Sequence, residues 1–194
     1  MNDHAILSGI ATAKKIRQQK LYGILFSLGM ILVSIFVFGG NRLAHKYEQT
    51  RGYFYEIENQ LSISSQVDFI WGQGWNMHHM MSNHREVITE SDLDRLVQAL
   101  DTLHHDTDFF NLPTNLVQVV TTIEALHGQR ELIDDLTAEN AAHMEGILAN
   151  IMSARHIISN SSFNDRVAVY NNLVTRFPGR LIARVRSIEV LPYF

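Results

Sequence analysis

The sequence contains no cysteine. That absence excludes a disulfide scaffold, a zinc site built on thiolates, an iron–sulfur cluster and a cysteine nucleophile. It leaves the compartment open, because such a chain is indifferent to redox poise. Three prolines and eleven glycines are too few for a collagen-like or low-complexity chain. Strand-type alternation is missing too, apart from a short stretch near Ile188–Leu191. There is no GxSxG, no phosphate-binding glycine loop, no dinucleotide fingerprint and no HExxH, so the enzyme classes that rest on those motifs have no support. Charge is sparse at 19%, against 46% hydrophobic residues in 194. Such a chain folds, and its length suits one domain. A net charge of −4 argues against a dedicated nucleic-acid binder.

What charge there is lies unevenly. Lys14, Lys15, Arg17 and Lys20 stand near the start against Asp3. Most Asp and Glu residues lie in the middle, and Arg166, Arg176, Arg180, Arg184 and Arg186 return near the end. Basic ends beside apolar residues suit an anionic lipid surface. Between Lys20 and Asn41 runs LYGILFSLGMILVSIFVFGG, without a single charge. Twenty helical residues rise about 30 Å, the thickness of a bilayer's hydrocarbon core. A cleaved signal peptide fits less well: the polar lead is long, the apolar run exceeds a signal core, and no small-x-small cleavage site follows. The run therefore reads as a retained transmembrane helix. The charges before it exceed Arg42, Lys46 and Arg51 after it, which Glu48 dilutes, so the N-terminus is expected in the cytoplasm. The C-terminal part is then expected in the periplasm or an organelle lumen. Gly23, Ser27, Gly29 and Ser34 offer small residues for contact with another helix.

Beyond the span the apolar period is helical. Leu43, Tyr47, Phe54, Ile57 and Leu61 make a first stripe that continues the membrane helix. Trp71-Gly72-Gln73-Gly74-Trp75 is expected to end it, since glycine is a poor helix former. Ser91 with Asp94 marks a helix start, followed by Leu93, Leu96, Val97, Leu100 and Leu103. Residues 106–111 read as a loop, and Pro113 suits a first helical turn. Leu116, Val117, Val120, Ile123 and Leu126 follow. A further stripe runs Leu132, Leu136, Met144, Ile147, Leu148 and Ile151, and the last holds Val167, Tyr170, Leu173, Val174 and Phe177. The expected fold is all-α: an N-terminal transmembrane helix followed by an antiparallel four-helix bundle. The expected organisation is a basic segment 1–20, a span 21–40, a helical bundle 41–178 and a basic amphipathic tail 179–194. In the tail Leu181, Ile182, Val185 and Ile188 make an apolar face, with Arg180, Arg184 and Arg186 at its margins. It either packs on the bundle or lies on anionic headgroups.

From Phe163 the chain reads FNDRVAVYNNLVTRFPGRLIARVRSIEVLPYF. This resembles the LemA family, whose members carry Tyr-Asn-Asp-x-Val-x-x-Tyr-Asn, then Phe-Pro, then Leu-Ile-Ala, then Pro-Tyr-Phe. The corresponding residues are Asn164, Asp165, Val167, Tyr170, Asn171, Phe177, Pro178, Leu181, Ile182, Ala183, Pro192, Tyr193 and Phe194. Phe163 stands in place of the family's first Tyr. Phe54-Tyr55-Glu56-Ile57-Glu58-Asn59-Gln60-Leu61 is similar to the family's first soluble motif. Leu112-Pro113-Thr114-Asn115-Leu116-Val117 is similar to its Ile-Pro-Asn-Leu-Val segment, but one residue longer and displaced along the chain. The resemblance implies a membrane-anchored helical bundle of the bacterial envelope, with no catalytic residues to carry over. One branch of the family is needed to form the magnetosome membrane in magnetotactic bacteria.

The remaining chemistry sits in histidine, of which there are ten. His78, His79 and His84 fall within GWNMHHMMSNH, and His104 and His105 precede Asp106. Imidazole beside carboxylate suits a divalent metal, and Met77, Met80 and Met81 would suit Cu(I). The spacings match no defined motif, so a set of polar loop residues is the plainer reading. His127, His143 and His156 are expected on separate helical stretches. Asp134-Asp135 reads as solvated, and Trp71 and Trp75 as residues of a capped bundle end. The sequence thus points to a non-enzymatic scaffold without cofactor. Its expected partners are membrane lipid, other membrane proteins and further copies of itself. A membrane-tethered metal-binding module is the alternative.

Overall fold

A computed structural model describes residues 3–56, 62–105 and 108–194, with side chains from residue 17 onward. Ile57 and Leu61 of the first stripe, and Asp106, lie outside these residues. Every regular element among the described residues is helical. The α-helices are α1 (Asp3–Gly52), α2 (Ile63–Met81), α3 (Glu90–His105), α4 (Leu112–Gly128), α5 (Ala138–Ser159), α6 (Ser162–Thr175) and α7 (Gly179–Arg186). They fall into two compact units, one of residues 1–46 with 173–189, the other of residues 47–172 with 190–194.

The first unit contains the apolar part of α1. Its most apolar stretch has a mean hydropathy of 2.4, and none of it is buried. Thirteen large apolar side chains between Leu21 and Phe38 are each 42–73% exposed. Exposing a large apolar side chain to water costs about 1.5–3 kcal/mol, so a run of thirteen calls for an apolar environment. α1 is long and apolar enough to cross a membrane.

In the second unit α2 packs against α3, α4 and α5, and α4 against α3 and α5. The predicted stripes supply the interior: Leu93, Leu96, Leu100 and Leu103, then Leu116, Val120, Ile123 and Leu126, then Met144, Ile147 and Ile151 are all buried. Val117 and Leu132 were expected inside and are exposed. Ser62 caps α2, its hydroxyl accepting from the Ser65 N–H at 3.1 Å.

Three sequence expectations are overturned here. The first stripe does not continue the membrane helix to Trp71: α1 ends at Gly52, before Phe54, and a separate helix begins at Ile63. Trp71-Gly72-Gln73-Gly74-Trp75 does not end a helix; it lies inside α2, and so do His78 and His79. The glycines persist because of packing. A Cβ on Gly74 would stand 2.5 Å from Leu100 Cδ2 and 3.3 Å from Ile123 Cδ1. Glycine there lets α2 approach both α3 and α4, and that contact outweighs its low helix propensity. The cap of α3 is not Ser91 but Thr89, whose Oγ1 accepts from the Asp92 N–H at 3.2 Å and donates to its carboxylate at 2.7 Å.

Candidate functional site

The C-terminal motif residues lie on α6, in the turn at Phe177-Pro178, on α7 and in the extended segment after it. Asn164 Nδ2 donates to the Phe194 carbonyl at 2.7 Å, and its Oδ1 accepts from the Phe194 N–H at 3.0 Å. One turn-pair further along the helix, Asn171 Nδ2 donates to the Leu191 carbonyl and its Oδ1 accepts from the Leu191 N–H, both at 2.8 Å. Each asparagine amide thus does for one residue what a neighbouring strand would do. The spacings agree: seven helical residues rise about 10.5 Å, and three extended residues span about 10 Å. The two ends of 191–194 therefore reach both amides with the chain antiparallel to α6. This also accounts for the strand-like pattern near Ile188–Leu191, which forms no strand among the described residues.

The same segment closes an aromatic cluster. Phe194 has its ring centroid 5.1 Å from Phe54, 5.7 Å from Phe163 and 5.8 Å from Phe109. Phe163 supplies one of the rings of this cluster. Tyr170 is buried with its ring 6.0 Å from Tyr47, and burial, then Tyr47, push its phenol well above the ordinary range. Asp165 is in the first turn of α6, where a carboxylate favours the helix dipole. Pro192 is half-buried and Tyr193 exposed.

The helical part of the tail is short, and its apolar residues differ in burial. α7 ends at Ser187, which takes a left-handed φ of 51°. Within the first unit, Gly179, Ile182 and Ala183 are buried. Leu181 and Val185, expected on the same apolar face as Ile182, are exposed, and Phe177 is 86% exposed. A Cβ on Gly39 of α1 would stand 2.7 Å from Ile182 Cδ1, and one on Gly40 would stand 2.8 Å from Arg186 Nε. Arg186 thus reaches over α1 at Gly40, and Arg180, Arg184 and Arg186 are all exposed.

Among the described residues no three His, Asp or Glu side chains are grouped to hold a metal ion. His78 meets the Trp75 ring edge-on at 5.5 Å, and its imidazole is held below the ordinary value by burial and then by His79 and Arg85, against Asp94. His79 is exposed. His84 Nδ1 lies 3.4 Å from Asp135, itself 84% exposed. His104 stacks on Trp71 at 4.6 Å, with His105 edge-on to it at 5.1 Å. His143 is exposed, and His156 hydrogen-bonds Asn160 at 3.0 Å.

Among the described residues His127 is the buried histidine, and its setting was not legible in the sequence. Its Nδ1 meets the Arg130 guanidinium at 2.9 Å, so Nδ1 accepts and Nε2 carries the proton. Nε2 lies 3.5 Å from Glu145 without a hydrogen bond, and Arg130 Nη2 pairs with Glu145 at 2.6 Å. Burial first, then Arg130, lower its pKa from 6.5, opposed by Glu145. This trio ties α4 to α5 rather than forming an open site. The i,i+3 spacing of His127 and Arg130 is the part of it that local sequence shows.

No family model matches the chain, and neither a curated protein nor a solved structure does.

Proposed function

We propose that this chain is a single-pass membrane protein, anchored by α1 with its N-terminus cytoplasmic. Helices α2–α5 are proposed to form an antiparallel four-helix bundle. The whole serves as a non-enzymatic, LemA-like scaffold of the bacterial envelope or of an internal membrane. The observation that carries the reading is the long apolar stretch of α1, none of which is buried. The short connections between α2, α3, α4 and α5 support antiparallel neighbours. Asn164 and Asn171 spend their amides on holding backbone, a structural use that fits a scaffold. Such a scaffold acts through lipid, other membrane proteins and further copies of itself. Gly23 and Gly29, where an added Cβ would meet nothing, leave room for a close helix contact. A specific form of the proposal has the protein founding an internal compartment such as the magnetosome membrane.

Electron cryo-tomography of cells lacking the protein, beside complemented cells, tests this. Missing or malformed membranes are expected. Unchanged ultrastructure would overturn the membrane-building form, and intact membranes holding defective mineral would point to metal handling instead.

A further inference from the structure

We infer that α7 is an interfacial helix, which lays its outer face into the anionic headgroup layer of the bilayer that α1 crosses. The inference rests on the reading of α1 as a membrane anchor and goes beyond it, because it assigns a second membrane contact. Its first support is position. Ile182 and Arg186 approach α1 at Gly39 and Gly40, where the uncharged run ends. In a helix that crosses a bilayer, that point lies at the boundary of the hydrocarbon core. α7 is therefore held at headgroup height by contacts within its own unit.

Its second support is the face left outward. Gly179, Ile182, Ala183 and Arg186 share one side of α7 by their spacings of three, four and seven. Leu181 and Val185, four residues apart on another side, are 48% and 64% exposed, and Phe177 before them is the most exposed large apolar side chain described. Beside that row stand exposed Arg180 and Arg184, also four apart, with exposed Arg176 ahead of them. Apolar side chains flanked by arginines suit the layer between acyl chains and phosphates. Water would suit the arginines alone.

The absence of native cysteine makes each introduced cysteine unique. The full chain, carrying a nitroxide at Phe26→Cys, Phe177→Cys or Val185→Cys, is placed in vesicles of phosphatidylcholine with phosphatidylglycerol. Collisions with oxygen and with a water-soluble nickel chelate then report depth, with free label in buffer as the aqueous reference. The expected result is a deep label at 26, and labels at 177 and 185 of intermediate depth. The latter two should move toward the aqueous value in the R180Q/R184Q background, or when phosphatidylglycerol is omitted. A deep label at 26 with aqueous labels at 177 and 185 overturns the interfacial helix and leaves the anchor standing. An aqueous label at 26 overturns both. Intermediate depth that ignores both the arginines and the lipid charge overturns the anionic preference.

Discussion

Gly72 and Gly74 offer a matched pair in which one substitution should act in opposite directions. Both are helical, two residues apart in α2. Replacing either by alanine gains about 0.8–1 kcal/mol of helix propensity. A Cβ on Gly72 meets nothing within 4 Å, so that gain stands. A Cβ on Gly74 would stand 2.5 Å from Leu100 Cδ2, and both Leu100 and Ile123 are fully buried, so room for it has to be made within a packed interior. Overpacking of this kind costs about 1–3 kcal/mol. Because the propensity gain cancels between the variants, their difference measures the packing cost alone. At about 2–4 °C per kcal/mol for a chain of this size, Gly72→Ala should melt roughly 2–12 °C above Gly74→Ala. The wild type should lie below the former and at or above the latter. Far-ultraviolet circular dichroism of the full chain in detergent micelles measures this. A Gly74→Ala melting point equal to or above that of Gly72→Ala would refute the close approach of α2 to α3 and α4.

Asn171→Ala removes both partners of the Leu191 peptide, and Asn164→Ala both partners of Phe194. Each should cost about 1–3 kcal/mol, and amide hydrogen exchange should quicken over residues 188–194 before it does elsewhere; unchanged exchange there would dismiss the clamp. His127 is held neutral, its pKa lowered from 6.5 chiefly by burial. A lowered histidine adds stability above the unfolded value that is lost as pH falls through about 6.5 toward the folded one. Between about pH 7 and 5, His127→Gln should therefore lose less melting temperature than wild type, and an equal loss would place the sensitivity elsewhere. With the histidines dispersed, isothermal titration with Fe(II), Zn(II) or Cu(I) should give no sub-millimolar binding; a tight stoichiometric site would restore the metal-binding reading.

The helical stripes were legible because their periodicity is set by burial, the same quantity that sets the interior. Leu93, Leu96 and Leu100 read as core and are core. That α1 is long and apolar enough to cross a membrane was legible from length and absence of charge alone. What failed was punctuation. Propensity describes an isolated helix, so two glycines one residue apart read as a stop, whereas Gly74 is where two neighbouring helices need room. Ser91 read as a cap because local spacing cannot choose between it and Thr89, two residues earlier. In the tail, which residues are buried was not legible for a related reason. Leu181, Ile182 and Val185 are alike in hydropathy, and only the position of α1 beside Ile182 divides the buried residue from the exposed ones. The role of Asn164 and Asn171 was not legible, because it depends on residues 191–194 returning alongside α6.

Membrane topology tests the central claim most directly. Single cysteines at Gln18→Cys, before the uncharged run, and Ser91→Cys, after it, can be probed in intact cells with a membrane-impermeant maleimide. Labelling at 91 is expected once the outer barrier is opened, and labelling at 18 only when the inner membrane is breached. Labelling of both positions under the same condition would contradict a chain that crosses the membrane between them.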